Sequence, residues 1–147
     1  MSVTAHWYGK GLNAVAAGSV AWTTDTIKVS AHTSTYTPNQ STDQFFTDAT
    51  NELTTAYGYT AGGATLGTKS ATLTGLVTSL RAAATVWTPS AGQTLTIRYL
   101  VVRKDTGTSS TSPLLGYVDL GADTSATGAA FTVTWDATDG VLKLTAS

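Results

Sequence analysis

The chain has 147 residues, a formal net charge of -1 and no cysteine, and only 12% of its residues are charged. Disulfides, thiolate metal sites and a cysteine nucleophile are therefore excluded. The sparse charge argues against a nucleic-acid surface, which needs clustered Lys and Arg, and against adsorption to a membrane through a basic face.

Thr, Ser, Ala and Gly dominate instead. Four Trp, six Tyr and three Phe exclude a disordered chain. A surface of Thr and Ser rather than Lys and Glu is weakly protected against association, so much of it is expected to be covered in an assembly. The length predicts one domain, with a core that buries ~68–70% of the surface exposed by the unfolded chain. The N-terminal residues show no basic region followed by an apolar one, so no secretion signal is expected. No apolar run approaches the ~20 residues that span a bilayer.

Val3 to Tyr8 mixes apolar and polar residues and reads as an extended arm or an edge strand. Trp7 and Tyr8 then either cover the edge of the core or dock on a neighbour. Leu12, Val15, Ala16 and Val20 recur at roughly helical spacing between Gly11 and Gly18, which predicts a short helix. Thr26 to Thr33 alternates as a strand. Ile27, Val29 and Ala31 face the core; Thr26, Lys28, Ser30 and His32 face solvent. His6 and His32 stand alone, without the clustered ligands that a metal needs.

Thr37-Pro38-Asn39-Gln40 punctuates the chain. Ser41 to Gln44 matches a capping box, which predicts one or two helical turns pinned by a phenylalanine. Asp43, Asp48 and Glu52 form the only acidic grouping of this half, with no sign of the burial that an acid–base pair requires. Gly62-Gly63 reads as a tight turn rather than a phosphate loop, because no Lys-Ser/Thr pair follows in the required spacing. Lys69 to Leu76 is a strand with Ala71 and Leu73 on one face. From Leu76 the chain is read as a loop and then a strand ending at Trp87, since Pro89 and Gly92 follow.

Thr94 to Leu120 organises the rest. Leu95, Ile97, Tyr99 and Val101 share one strand face by simple alternation. Thr96 and Arg98 open the other face, which turns apolar at Leu100 and Val102, so the strand should be half exposed at one end and buried on both faces at the other. Asp105 to Pro113 is a polar tip, and Leu114 to Leu120 returns as the second strand of an antiparallel hairpin. Gly121 to Ala129 is predicted as a loop of small residues. Phe131, Val133 and Trp135 share a strand face, Asp136 to Gly140 is a turn rather than a calcium loop, and Val141 to Leu144 closes the chain.

Seven to nine short strands with one or two short helices predict an all-β fold. Residues 1–147 should form a single β-sandwich, jelly-roll or immunoglobulin-like, with a small barrel as the alternative. Residues 1–8 are its arm or edge strand. No G-x-S-x-G elbow and no nucleophile–base pair can be assembled from the sequence, so no catalytic, cofactor or metal residue is assigned.

Four segments carry a resemblance: Asp25–Asp48, Tyr59–Leu66, Arg98–Gly121 and Phe131–Leu144. They resemble a family of small virion structural proteins from tailed bacteriophages and prophages. The central segment shows the family's pattern, with its aromatic strand, the turn Lys104-Asp105-Thr106-Gly107 and the return strand Pro113-Leu114-Leu115-Gly116-Tyr117-Val118-Asp119. The chain departs from the family at Ser30-Ala31-His32, where a longer apolar strand is usual, and the region Leu73 to Trp87 matches least. The resemblance implies a non-enzymatic virion component, and most simply a decoration or cement protein bound to the outer face of the major capsid lattice. It would be made in the bacterial cytoplasm and reside on the capsid surface, with other copies of itself, as a trimer, among its partners. The contact residues this implies are Val3, His6, Trp7 and Tyr8 of the arm, Thr106, Thr108, Ser109 and Ser110 of the tip, and Asp123 of the following loop. A receptor- or glycan-binding module of the tail, stacking sugars on Trp7, Trp22 or Tyr57, is the alternative, and another tail or neck component is a third.

Overall fold

Short β-branched and apolar segments separated by small polar residues settle into strands, as the composition leads one to expect. The computed structural model describes residues 2–147. In chain order the elements are β1 (Ser2–Val3), β2 (His6–Trp7), α1 (Gly9–Ala16), β3 (Ile27–His32), β4 (Ala64–Thr65), β5 (Ser70–Thr74) and β6 (Val77–Arg81). Then follow β7 (Thr85–Trp87), β8 (Thr94–Lys104), β9 (Leu114–Thr127), β10 (Phe131–Trp135) and β11 (Leu142–Thr145). Five strands form one sheet in the order β2-β9-β8-β3-β4. Two three-stranded sheets, β1-β10-β7 and β11-β6-β5, lie opposite. All three sheets feed one apolar core: Ile27, Val29, Leu100 and Val102 from the large sheet, Trp87, Phe131 and Val133 from one small sheet, and Leu80 and Leu142 from the other. The fold is a small all-β sandwich. No helix among the described residues is long and apolar enough to cross a membrane.

The central hairpin forms as predicted, but its facing pattern slips. Leu95 and Ile97 enter the core, and so do Leu100 and Val102, whereas Tyr99 and Val101 join a second cluster on the opposite face of the sheet. The pairing with β9 shifts at the same place: Ile97 lies opposite Thr124, and Tyr99 opposite Asp119. The extra residues on β9 bulge out at Gly121, whose φ of +81° suits a residue without a side chain. Alternation thus breaks between Ile97 and Leu100, and the expectation that Leu95, Ile97, Tyr99 and Val101 share one face is corrected. The expected gradient of burial holds, from exposed Thr94 and Thr96 to the wholly buried run Leu100–Arg103.

Residues 2–8 are not a free arm. β1 pairs in parallel with β10, and β2 pairs antiparallel with β9. Between them, the Ala5 N–H donates to Val141 O at 2.7 Å. The segment therefore passes from a small sheet to the large one and ties the layers together. α1 begins earlier than the predicted helix and ends at Ala16. Gly11 lets it lie directly on β9, since a Cβ at that position would collide with the Leu114 carbonyl oxygen.

Three further expectations are corrected. The loop expected from Leu76 contains β6, which pairs with both β5 and β11. The loop expected at Gly121–Ala129 is strand as far as Thr127, because Thr124–Thr127 pair with Thr94–Ile97. The Ser41–Gln44 capping box does not form; Asn39 Oδ1 accepts the Ser41 and Thr42 amides instead, and a single 3-10 turn at Phe46–Asp48 follows.

Beyond the slip, adjacent residues of β8 face different clusters and both faces are buried, and substitutions read this out. Leu100→Ala should cost about 2–5 kcal/mol and Val101→Ala about 1–3 kcal/mol, although neighbouring strand residues normally differ in burial. Thr96→Ala should stay within about 0.5 kcal/mol. Urea unfolding of the three variants measures this, and a neutral Val101→Ala would contradict burial on both faces.

Candidate interaction surfaces and the buried polar layer beneath them

The residues 33–62 form a long connection that closes over the outer face of β3 and β8. Its anchors are backbone bonds: the Thr33 N–H to Asn51 O and the Leu53 N–H to Ala31 O, with His32 bridged to Glu52. His32 and Ser30 are consequently buried completely, which corrects the expectation that they face solvent. The His32 Nδ1 lies 2.8 Å from Thr50 O, and its Nε2 2.9 Å from the Ser30 hydroxyl. A carbonyl only accepts, so Nδ1 carries the proton and Nε2 accepts from Ser30. Burial holds the His32 imidazole down, from 6.5 to about 4, and the nearby Arg103 guanidinium adds to the shift.

Around His32 lie the other polar groups of this layer. The Tyr8 and Tyr36 hydroxyls meet at 2.7 Å, and Tyr36 donates onward to Asp43 at 2.9 Å. Tyr59 donates to Glu52 Oε1 at 2.6 Å and accepts the Ala31 N–H at 3.0 Å. Burial pushes the phenols of Tyr8, Tyr36 and Tyr59 well above their ordinary range. Arg103 is buried, donates to Gly62 O at 2.8 Å, and sets its guanidinium 3.5 Å from the centre of the Phe46 ring. Asp48 accepts the amides of Gln44 and Phe45, and those bonds hold its carboxyl below the usual range. The acidic grouping Asp43, Asp48 and Glu52 therefore serves as acceptors that pin the connection. Among the described residues no three His, Asp or Glu side chains gather at metal-binding range.

The expected contact residues divide into three places. In the N-terminal segment His6 is exposed, Val3 and Trp7 are half-buried, and Tyr8 is wholly enclosed. Tyr8 is thus removed from the accessible set, because its ring and hydroxyl complete the layer under the connection. His6 and Trp7 border an open groove of about 410 Å³ with Gln40, Asp139 and Lys143. The Trp7 indole donates to Lys143 O at 2.7 Å, which fixes the ring.

The hairpin tip forms the second place. Thr106, Thr108, Ser109 and Ser110 are exposed, and they are ordered from within. The buried Ser112 hydroxyl accepts the Thr106 N–H at 3.0 Å and donates to Thr108 O at 2.8 Å. At the base of the tip Lys28 and Asp105 pair at 2.7 Å. Thr106 also lines an open groove of about 500 Å³ between the tip and α1, with Lys10, Asn13, Phe45 and Lys104. Asp123 is exposed in the β9 bulge rather than in a free loop, and lies in neither groove.

Tyr57, the platform of the glycan alternative rather than one of those contacts, lies elsewhere. It is 51% exposed and has φ of +54°, an uncommon backbone for a bulky residue. It borders an open groove of about 290 Å³ with Thr54, Thr94 and Thr96. Trp22, in contrast, is buried and donates its indole N–H to Arg81 O. Comparison of the chain with protein-family models, with curated proteins and with solved structures gives no match.

The buried imidazole makes stability depend on pH. Unfolded, His32 takes a proton near 6.5; folded, it stays neutral down to about 4. Stability is then complete above pH 6.5 and falls as the pH drops toward 4, by at most about 1.4 kcal/mol per pH unit. Urea midpoints between pH 7.5 and 5 should fall in the native chain and stay nearly level in His32→Gln. An equal fall in both would contradict the assignment.

Proposed function

We propose that the chain is a non-enzymatic structural protein of a bacteriophage virion, and within it a decoration or cement protein on the outer face of the assembled major capsid lattice. The observation that carries this reading is the β8–β9 hairpin. Its residues carry the family resemblance, and it holds an uncharged hydroxyl-rich tip, Thr106–Ser112, at the surface in one internally bonded conformation. A loop ordered before binding loses little freedom when it docks.

The remaining features are consistent with a binding rather than a catalytic role. The groups with the most strongly displaced proton affinities, Tyr8, Tyr36, Tyr59 and His32, are buried away from the grooves. One open groove is lined by Lys10, Asn13, Gln44, Phe45, Lys104 and Thr106; in the other, beside His6 and Trp7, Asp139 is paired with Lys143 at 2.8 Å. A ligand that binds the assembled shell but not its free subunits stabilises the shell by mass action, about 2.7 kcal/mol per site at a hundredfold excess over Kd. Repetition of weak contacts over a symmetric lattice supplies avidity.

A tail module that binds glycans is the second reading. Tyr57 favours it, as an exposed aromatic beside a groove edged with threonine hydroxyls. Stacking on an aromatic face is a common way to hold a sugar ring, so under this reading Tyr57→Ala abolishes glycan binding without lowering the melting temperature.

Capsids assembled without the chain provide the test. The purified protein should cosediment with them and raise their disassembly temperature. Replacing Thr108 and Ser110 together by Lys should weaken that binding at least ~10-fold with no change in the free protein's melting temperature. Failure to bind the shell at any concentration would contradict the decoration reading.

A further inference from the structure

A sheet edge exposes unpaired N–H and C=O groups, and natural β proteins protect such edges. Among the described residues six strands lie at edges: β1 and β7, β2 and β4, β5 and β11. β1, β2 and β4 are two residues long and β7 is three. β11 is covered by the N-terminal segment, whose Ala5 N–H and Trp7 indole donate to Val141 O and Lys143 O. β5 has neither protection. It runs for five residues, Ser70-Ala71-Thr72-Leu73-Thr74, all exposed, with no charge and no proline. Leu73 is 70% exposed and Leu76, in the adjoining turn, 67%.

We propose that the β5 edge is a homotypic interface, at which a second copy of this chain adds its own β5 antiparallel across a two-fold axis through Thr72. The register follows from the hairpin. Thr74 and Val77 flank the two-residue turn Gly75-Leu76, and the pair flanking such a turn exchanges hydrogen bonds. Thr74, Thr72 and Ser70 therefore direct their peptide groups to β6. Ala71 and Leu73 direct theirs outward.

A two-fold axis at Thr72 brings Ala71 opposite Leu73 of the second copy, and the reverse, so the outward groups of both strands meet as hydrogen-bonded pairs. Ala71 and Leu73 also meet side by side on one face. Thr72 faces its own copy as a non-hydrogen-bonded pair, a cross-strand threonine match that is favourable. Lys69 falls opposite Gly75, so no like charges are opposed. This self-complementarity selects a second copy over an unrelated strand, and it gives a closed isologous dimer rather than a filament. Five residues of strand bury far less than the ~1,200–2,000 Å² of a standard interface, so the contact is weak and concentration-dependent. It concerns the free chain and does not depend on the virion reading.

The absence of cysteine makes the test direct. Thr72→Cys gives a chain with one thiol, on a residue whose Cα lies ~4.5 Å from its mate's in a non-hydrogen-bonded pair, within the Cα range a disulfide spans. Ser70→Cys gives a thiol displaced from its mate by four residues, roughly 13 Å along the ladder. Under a mild oxidant at roughly 0.1–1 mM chain, where a contact of this size is populated, Thr72→Cys should form covalent dimers at least ~10-fold faster than Ser70→Cys. Equal rates would overturn the register. In parallel, sedimentation of the native chain should show a reversible dimer that Thr72→Lys abolishes without lowering its melting temperature. A native chain that stays monomeric throughout, or a dimer that survives Thr72→Lys, would overturn the proposal.

Discussion

The structure depends on one pairing, β8 against β9, and on the slip within it. A strand alternates its side chains with a period of two, so a shift by one residue turns every following side chain to the other face. In β8 that shift is used. Arg98 and Tyr99, consecutive residues, both remain outside the core, and Leu100 and Val102 resume the inward face begun by Leu95 and Ile97. Arg98 bonds Asp119 at 2.8 Å at the point where the register changes. The half of β8 beyond the slip carries β3, and its outward residues Val101 and Arg103 need a second covering layer.

That second layer explains the long connection. Tyr36, Phe46, Tyr8 and His32 pack over Val101 and Leu114, and hydrogen bonds satisfy the hydroxyls and the imidazole brought inside. Such groups would be costly to bury without partners. The layer also holds the tip indirectly. Phe46 N–H donates to Ser112 O, and Leu114 N–H to Gln44 O, so the connection grips both sides of the turn into β9. The tip is therefore supported by a buried polar layer, which makes it a rigid part of the surface.

Much of the core was legible in the sequence because period-two alternation is local. Ile27, Val29 and Ala31, and Phe131, Val133 and Trp135, face inward as their spacing required. The turns at Gly62-Gly63 and Asp136–Gly140 were legible because a positive φ selects glycine there. What was illegible is set by contacts distant in sequence. Nothing near His32 signals that residues 33–62 return to cover it, although the apolar run Leu100–Val102 already implied a cover on that face. The β9 bulge was hidden because Gly121-Ala122-Asp123-Thr124 has the composition of a loop. β6 was hidden because Val77–Arg81 has too few apolar residues to show alternation. Of the expected contacts, the tip was legible as an exposed polar run. Tyr8 was not recognisable as core, since its burial depends on Tyr36, 28 residues away.

A rigid sandwich with an internally ordered polar tip is suited to occupying one repeated position on a surface. Under the proposed virion role, the number of those positions separates a shell protein from a tail protein. Quantitative mass spectrometry of purified particles, with the major capsid protein as the internal standard, measures it directly. The account predicts one copy per capsid subunit, or a simple fraction of that. A handful of copies per particle would contradict it and leave the tail module, with Tyr57 at its groove, as the better description.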